Sequence, residues 1–597
     1  MVLREMEKAM ENDLTYTEER SISSTKKSDE ASAEHIDSPE LTNVPDATKE
    51  SELLEVIKIE HRQEVLNFVH ELEAELQQSE EANGPQRRSR AFQLSFKNPK
   101  YFTWVMAAFA SMGGLLFGLD QSLISGANLF MPTALGLSVQ QVGFVNSSMP
   151  LGAVAGAFLL IPANEYLGRR RAIILATILY TIGAALEAGA ISYPMMIMGR
   201  SVLGFGVGIE TGTVPVYVAE CVERQFRGNL VSLYQFNIAL GEVFGYVVAA
   251  IFLKVDGNWR YMLGSSIVFS TLMLIGMILL TESPRYLLHR SRLLDAYRVW
   301  KRIRGVESFD SQAEFYLMKV TADAEERELR AKRAAVKFVW FDFITVPRCR
   351  RAIIYANIMI LLGQFVGING LMYYMGILMQ QIGLNPANST YMSMVGGGSL
   401  LIGTIPAIFN MERFGRRFWA ITMLPGCFVG LVLIGCSYLF NVNTNVQAAE
   451  GLYLSGLIIY MLCYGSYACL TWVIPSDVYP TYLRSYGMAT SDAMVFLGSF
   501  IITYNFSAMQ DAMTKTGLTL GFFGGISVLG WFYQVLFMPE VKDMTLEEVG
   551  VVFSKPTGQL VKDNLTSSIR TTSLLLHGQF REAILGPQLS ARQPDKV

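Results

Sequence analysis

The chain has 597 residues, 51% of them hydrophobic and only 17% charged, with a net charge of -3 and a mean hydropathy of +0.30. A soluble domain is about 25% charged, so this composition has too little polar cover for a water-soluble enzyme, and a bilayer is its natural solvent. The charges crowd into 1–100, 282–351 and 539–597 and form no basic face for phosphates, which excludes nucleic-acid binding.

The first 50 residues are polar, rich in Ser, Thr and Glu, and lack the apolar core of a signal peptide, so disorder is expected there. Residues 51–80 place apolar side chains at helical spacing and predict one amphipathic helix, either solvated or docking. Six apolar runs follow near 101–125, 140–163, 170–192, 194–218, 229–253 and 261–281. Each approaches the roughly 20 residues that cross a hydrocarbon core of about 30 Å. A charged stretch, 282–350, predicts a linker with short helices. Six more runs lie near 351–378, 390–410, 418–440, 450–475, 486–508 and 517–538. The expected domains are a tail (1–99), a six-helix bundle (100–281), the linker (282–350), a second bundle (351–540) and a tail (541–597). The fold class is an all-α membrane protein with twelve transmembrane helices in two pseudo-symmetric six-helix bundles.

Basic residues set the orientation. Arg169, Arg170 and Arg171 follow the second run, Arg413, Arg416 and Arg417 follow the eighth, and the linker is rich in Lys and Arg. The stretches 127–139, 381–389 and 441–449 contain neither. The positive-inside rule puts both termini and the linker in the cytoplasm. Asn388-Ser-Thr is then an external glycosylation sequon. The six cysteines, Cys221, Cys349, Cys427, Cys436, Cys463 and Cys469, have no metal-like spacing and read as reduced packing residues.

Three charge markers recur in the same order. Asn164-Glu-Tyr-Leu-Gly-Arg-Arg170 matches Met411-Glu-Arg-Phe-Gly-Arg-Arg417 in register, pairing Glu165 and Arg169 with Glu412 and Arg416. Glu220 and Arg227 match Asp477 and Arg484, each pair seven residues apart. Glu282 and Glu540 each close a half. Duplicated halves with a solute site between them mark secondary transporters. An acid at a span boundary pairs with an Arg of a neighbouring helix end or caps that helix. Such pairs are expected to break when the halves rock. Inside the runs, Asp120, Arg200, Glu210 and Glu242 stand out, because an ionisable group in a span is costly and marks function.

The ordered segments resemble the sugar porter family of the major facilitator superfamily, most of all its fungal sugar and polyol branch. They are Gly113-Gly-Leu-Leu-Phe-Gly-Leu-Asp120, Gly199-Arg-Ser-Val-Leu-Gly-Phe-Gly-Val-Gly208, Pro215-Val-Tyr-Val-Ala-Glu220, Glu282-Ser-Pro-Arg285, Gln364-Phe-Val-Gly-Ile-Asn369 with Tyr373-Tyr374, and Pro539-Glu540. The resemblance covers roughly 100–555. It implies alternating access between two bundles. It implies that Asp120 and Arg200 form a proton-coupling pair, since facilitative relatives carry a neutral residue at the Asp position. It makes Gln235, Gln364 and Asn369 ligands of solute hydroxyls, Trp472 a platform for the solute's apolar face, and Tyr373 and Tyr374 an outer gate. Glu242, two helical turns after Gln235, joins the solute ligands as an acceptor of hydroxyl hydrogen bonds, or else favours a cationic group or adds a second titrating site.

Several positions depart from the family pattern. Gly363 stands where relatives often have Gln, Val495-Phe496 where they show an amide and Trp, Ser466–Thr471 replaces a Gly-Pro-rich stretch, and Thr281 precedes Glu282 in place of Pro. These changes count against hexose as the solute more than against transport. The expectation is a proton-coupled symporter for a sugar or related polyhydroxylated solute, monomeric, in the plasma membrane, with solute, proton and lipid as its partners. The alternatives are a nutrient sensor signalling through its tails and a metabolite exporter. No cofactor is implied, since no phosphate-binding Gly-Lys-Ser/Thr loop occurs, and the five His suggest no catalytic or metal cluster.

Overall fold

Apolar runs separated by charged turns leave a chain little choice but helices, since every backbone polar group in hydrocarbon must be satisfied internally. The computed structural model describes residues 61–83, 99–221, 224–335, 339–440, 445–479, 483–541, 549 and 552–577, and their regular structure is helical. The expected disorder of 1–50 lies outside the described residues. Helix α1 (Arg62–Asn83) is followed by α2 (Pro99–Ala127), α3 (Val139–Tyr166), α4 (Arg169–Ala188), α5 (Tyr193–Cys221), α6 (Arg224–Phe252) and α7 (Asn258–Leu279). The linker holds α8 (Pro284–His289), α9 (Leu293–Arg304) and α10 (Phe309–Ala335). The second series is α11 (Pro347–Phe365), α12 (Ile368–Tyr373), α13 (Met375–Gln381), α14 (Pro386–Phe414), α15 (Arg416–Ser437), α16 (Val446–Val478), α17 (Arg484–Met513) and α18 (Gly524–Phe537, entered through π-helical turns at Gly517–Phe523), then α19 (Thr557–Leu576). Eleven helices among the described residues are long and apolar enough to cross a membrane, and α2, at 29 residues, stands at the head of the series.

The seventh run reads as one span but is broken. Gly367 adopts φ +102 between α11 and α12, a conformation that side chains other than glycine's resist, and a second break follows Tyr373. Discontinuous helices of this kind build the solute sites of transporters.

The described residues form two compact units, one made of the chain up to Arg90 with Pro284–Phe341, the other of Ala91–Ser283 with Asp342 onward. In the first, α1 carries Val65, Val69, Leu72 and Leu76 on one buried stripe. Val69, Leu72 and Leu76 pack with Leu287 of α8, Tyr297 and Trp300 of α9 and Phe315 of α10. Full burial of such side chains stabilises by about 1.5–3 kcal/mol each. The amphipathic segment is thus a docked helix, not a solvated one. The linker is also less fragmented than its charge suggests, because α10 keeps an apolar stripe and runs for 27 residues.

In the second unit the helix contacts are duplicated. In the first half α3 and α4 pack on α5, and α4 on α7; in the second α14 and α15 pack on α16, and α15 on α18. Two seams join the halves, α3 against α17 and α14 against α6, and the repeat exchanges one for the other. Close approach at these contacts rests on glycine. On α3, Gly152 and Gly156 abut the carbonyls of Ser201 and Phe205, while on α5 Gly204 and Gly208 abut those of Met149 and Ala153. In the second half Gly403 and Gly465 abut Leu462 and Leu400 in the same reciprocal way.

A side chain at Gly204 meets the Met149 carbonyl, whereas one at Gly398 meets nothing within 4 Å. Gly204→Val is therefore expected to lose at least the roughly 1–3 kcal/mol of an overpacked contact. It should lower the melting temperature and the monodisperse fraction in detergent, while Gly398→Ala leaves both unchanged.

Candidate functional site

The residues singled out inside the apolar runs converge on three levels of the second unit. At the first level, α2 and α5 bring Asp120 and Arg200 together. Arg200 donates from Nη1 to Asp120 Oδ1 at 3.2 Å and from Nη2 to Oδ2 at 3.0 Å, and both side chains are buried. A two-bond fork of this kind is the strongest geometry available to an ion pair. A second carboxylate was missed: Glu187, near the end of α4, lies 3.5 Å from Arg200 Nη1. The pattern that flags Asp120, an acid in an apolar run, holds for Glu187 too.

At the second level, polar side chains from both halves meet. Gln121, next to Asp120, donates to Asn369 Oδ1 at 3.1 Å, and Asn369 Nδ2 donates to Gln364 Oε1 at 2.6 Å. The break at Gly367 places Asn369 on α12, from where it reaches back to Gln364 on α11. Trp472 Nε1 on α16 donates to Gln235 Oε1 on α6 at 2.7 Å, and its indole meets Tyr234 edge-on. The ring thus presents one polar edge to the first half. Glu242, one buried turn pair along α6, keeps Oε2 without a hydrogen-bond partner among the described residues. It lies within electrostatic reach of Tyr246, Tyr373 and Tyr464, which places it between the halves. Two further buried acids, Glu210 on α5 and Asp492 on α17, each hold an oxygen in the same condition. Asp492 sits against Gly212 of α5, across the two halves, and its charge within an apolar run was the signal for it.

At the third level, the halves are sealed. Asn128, just past the end of α2, donates to Asn146 Oδ1 at 3.0 Å and to the Tyr373 carbonyl at 3.1 Å. Gly376 N donates to Ser125 Oγ at 3.3 Å. Tyr373 is wholly buried, with its hydroxyl on Met149 Sδ, and Tyr374 donates to the Thr503 carbonyl while stacking on Phe506 at 4.6 Å. Both tyrosines are thus buried where the halves meet, and Asn128 holds the Tyr373 carbonyl.

At the opposite helix ends the duplicated charges form duplicated structures. Gly168 and Gly415 take φ +89 and +87 ahead of α4 and α15. Arg169 pairs with Glu220 at 2.8 Å, and Arg416 with Asp477 at 3.3 Å. Glu282 accepts from the backbone N–H groups of Arg170 and Ser283, each at 3.0 Å, and Ser283 Oγ bonds Glu220. Glu540 accepts from Arg416 N at 3.2 Å, Arg417 N at 3.3 Å and Val541 N at 3.0 Å. Burial pushes the Glu282 carboxyl above its ordinary range, while the two backbone donors hold it back. These acids cap helix N-termini, where a carboxylate meets unpaired N–H groups and the positive end of the helix dipole. The Arg169–Glu220 and Arg416–Asp477 pairs each lie within a single half. Glu165 is exposed at the end of α3, Arg484 opens α17, and the side chains of Arg227 and Glu412 lie outside the described residues. Among the described residues no His, Cys, Asp and Glu group is arranged to hold a metal.

Glu540→Ala removes the acceptor of two N–H groups at the start of α15, together with that of Val541 N. A loss of about 1–2 kcal/mol is expected, as for a helix cap, read as a lower melting temperature of purified protein, with Glu282→Ala behaving alike.

The comparisons with known proteins agree with this arrangement. Residues 106–553 match the family described as sugar (and other) transporter. Myo-inositol transporter FST1 of Gibberella moniliformis is 63% identical over 536 residues, covering 90% of this chain and 92% of that protein. D-xylose-proton symporter-like 2 of Arabidopsis thaliana is 32% identical over 462 residues, 74% of this chain and 89% of that one. Among solved structures, the proton:xylose symporter XylE bound to 6-bromo-6-deoxy-D-glucose superposes with a TM-score of 0.63 at 24% identity, covering 76% of this chain and 100% of that chain. That last likeness is one of fold.

Proposed function

The chain belongs to the sugar (and other) transporter family, and from that premise we propose that it imports myo-inositol, or a cyclic polyol of the same hydroxyl pattern, together with protons. As a family member it is a multi-pass membrane transporter and not an enzyme. The observation that carries proton coupling is the buried Asp120–Arg200 fork, one residue away from the amides of the central level. The relative that is 63% identical and named as a myo-inositol transporter supports the solute.

In this reading the solute enters between the halves and breaks the Gln235–Trp472 and Gln364–Asn369 bonds, replacing them with bonds to its hydroxyls. An amide offers both donors and an acceptor without burying charge. Trp472 gives its face to the ring C–H groups. Protonation of Asp120 loosens Arg200, Tyr373 and Tyr374 close the outer seam, and the halves rock about their two equivalent seams. The proton and solute then leave on the other side. Arg-rich turns and a basic linker support cytoplasmic termini under the positive-inside rule, and an importer is best served by the plasma membrane. One chain holds both halves of the site, so a monomer suffices.

An inositol differs from a hexopyranose at two points, since a hydroxyl stands in place of the exocyclic hydroxymethyl group and the ring oxygen is lost. A further hydroxyl-bearing carbon replaces the ring oxygen, so an acceptor becomes a donor as well. Glu242 supplies an acceptor for that extra hydroxyl. Hydrogen bonds to charged groups contribute about 1.5–3 kcal/mol, so Glu242→Gln is expected to raise the KM for myo-inositol about tenfold or more while leaving competition by hexoses unchanged.

The decisive test is uptake of labelled myo-inositol by cells lacking their own carrier, at several pH values and with an uncoupler. Accumulation should be abolished by uncoupler, and Asp120→Asn should lose accumulation yet keep exchange of internal for external solute. Unimpaired pH-dependent accumulation by Asp120→Asn would sink the coupling assignment. A sensor predicts no accumulation in the parent protein together with an inositol-dependent downstream response.

A further inference from the structure

Arg200 faces two carboxylates, not one. Asp120 on α2 takes both terminal nitrogens, and Glu187 on α4 takes a longer contact of 3.5 Å from Nη1. All three side chains are nearly inaccessible, with Arg200 at 0%, Glu187 at 1% and Asp120 at 2% exposure. The trio also holds unspent bonding capacity, since Arg200 Nε and Glu187 Oε1 have no hydrogen-bond partner among the described residues. The surroundings supply few other charges. Tyr180 on α4 lies within electrostatic reach of both carboxylates and of Glu210 on α5. Tyr373 on α12 lies within reach of Asp120, Arg200 and Glu242. From α7, Arg260 donates to the Ala188 carbonyl at 3.1 Å, beside Glu187 in sequence and not to its carboxylate.

A guanidinium cannot shed its proton, and inside a bilayer it cannot stand without a counter-ion. With both acids ionised the trio carries one negative charge, and one added proton makes it neutral. We propose that Glu187 is the alternate counter-ion of Arg200: when Asp120 takes a proton, the guanidinium passes to Glu187, and it returns when the proton leaves. The step forms an O–H bond on Asp120 at the expense of external hydronium and breaks it toward internal water, and Arg200 stays charged throughout. The free Nε donor and Oε1 acceptor are what a second two-bond fork, now on Glu187, requires. Glu187 is thus a positioning residue that acts through Arg200, and it lets Asp120 give up its partner without leaving a bare cation in the membrane. The inference rests on the proton-symport reading above.

Without the Glu187 charge, Arg200 must hold Asp120 ionised, so protonation demands more acid. An opposite charge within about 4–6 Å moves a titration by roughly 1–3 units, and the pH of half-maximal inositol uptake by Glu187→Gln should fall by about one unit or more. Solute exchange at saturating inositol, which needs no net proton movement, should persist. Glu187→Asp, which keeps the charge, should restore the parental pH profile. A parental profile in Glu187→Gln overturns the inference. Should Glu187→Gln fail to give folded protein, Glu187→Gln combined with Arg200→Gln decides: recovery of a monodisperse protein supports the counter-ion role, and failure of both makes Glu187 a packing residue and overturns it. A parent protein indifferent to uncoupler and pH refutes symport itself, a result distinct from an uncoupler-sensitive parent whose Glu187→Gln variant keeps its profile.

Discussion

A guanidinium in hydrocarbon must keep an anion beside it, and much of the membrane unit is arranged around that demand on Arg200. The pairing ties α2 to α5 through Asp120, and α4 is drawn in through Glu187. Gln121, adjacent to Asp120 on α2, carries the connection across the midline to Asn369 and Gln364 in the second half. The ionic centre and the amides of the central level are therefore neighbours in the chain, Asp120 beside Gln121. Coupling between two sites requires an element that both of them bias, and α2 is the element available here.

The rest of the unit keeps the two halves rigid so that this bias is not dissipated. Reciprocal glycines let α3 and α5 approach to backbone contact, and Gly403 and Gly465 do the same for α14 and α16. Carboxylates cap α4 and α15, and Arg169–Glu220 and Arg416–Asp477 brace the helix ends within each half. The halves meet chiefly along α3 with α17 and α14 with α6, which the internal repeat makes equivalent. The same duplication that built the fold supplies its alternating geometry.

The division into spans, halves and linker was legible because charge is expelled from hydrocarbon and so marks every span boundary. Asp120 and Arg200 were legible for the converse reason, a charge kept where it is costly. Glu187 and Asp492 obey the same logic but were passed over. Glu187 lies near the end of its run, where an acid passes for a boundary residue, and only the rotation of α4 shows it turned inward. Asn128 and Asn146 gave no signal, since an amide in an apolar run is cheap enough to be ordinary. The break in the seventh span was hidden because the run carries no charge across Gly367. The helix of residues 62–83 was visible from its stripe, but its partner was not, because the contact joins segments far apart in sequence.

That last contact has a consequence for biosynthesis. Glu73 of α1 and Tyr297 of α9 bond across 224 residues of chain, with all the helices of the first half between them. At about 5–20 residues per second, α1 is complete for roughly 10–45 s before α9 exists. During that interval its stripe of Val69, Leu72 and Leu76 has no native surface to cover. The first half of the membrane unit is threaded while an apolar helix waits upstream for its partner. Docking of α1 is thereby a late event, delayed until the first bundle has been synthesised.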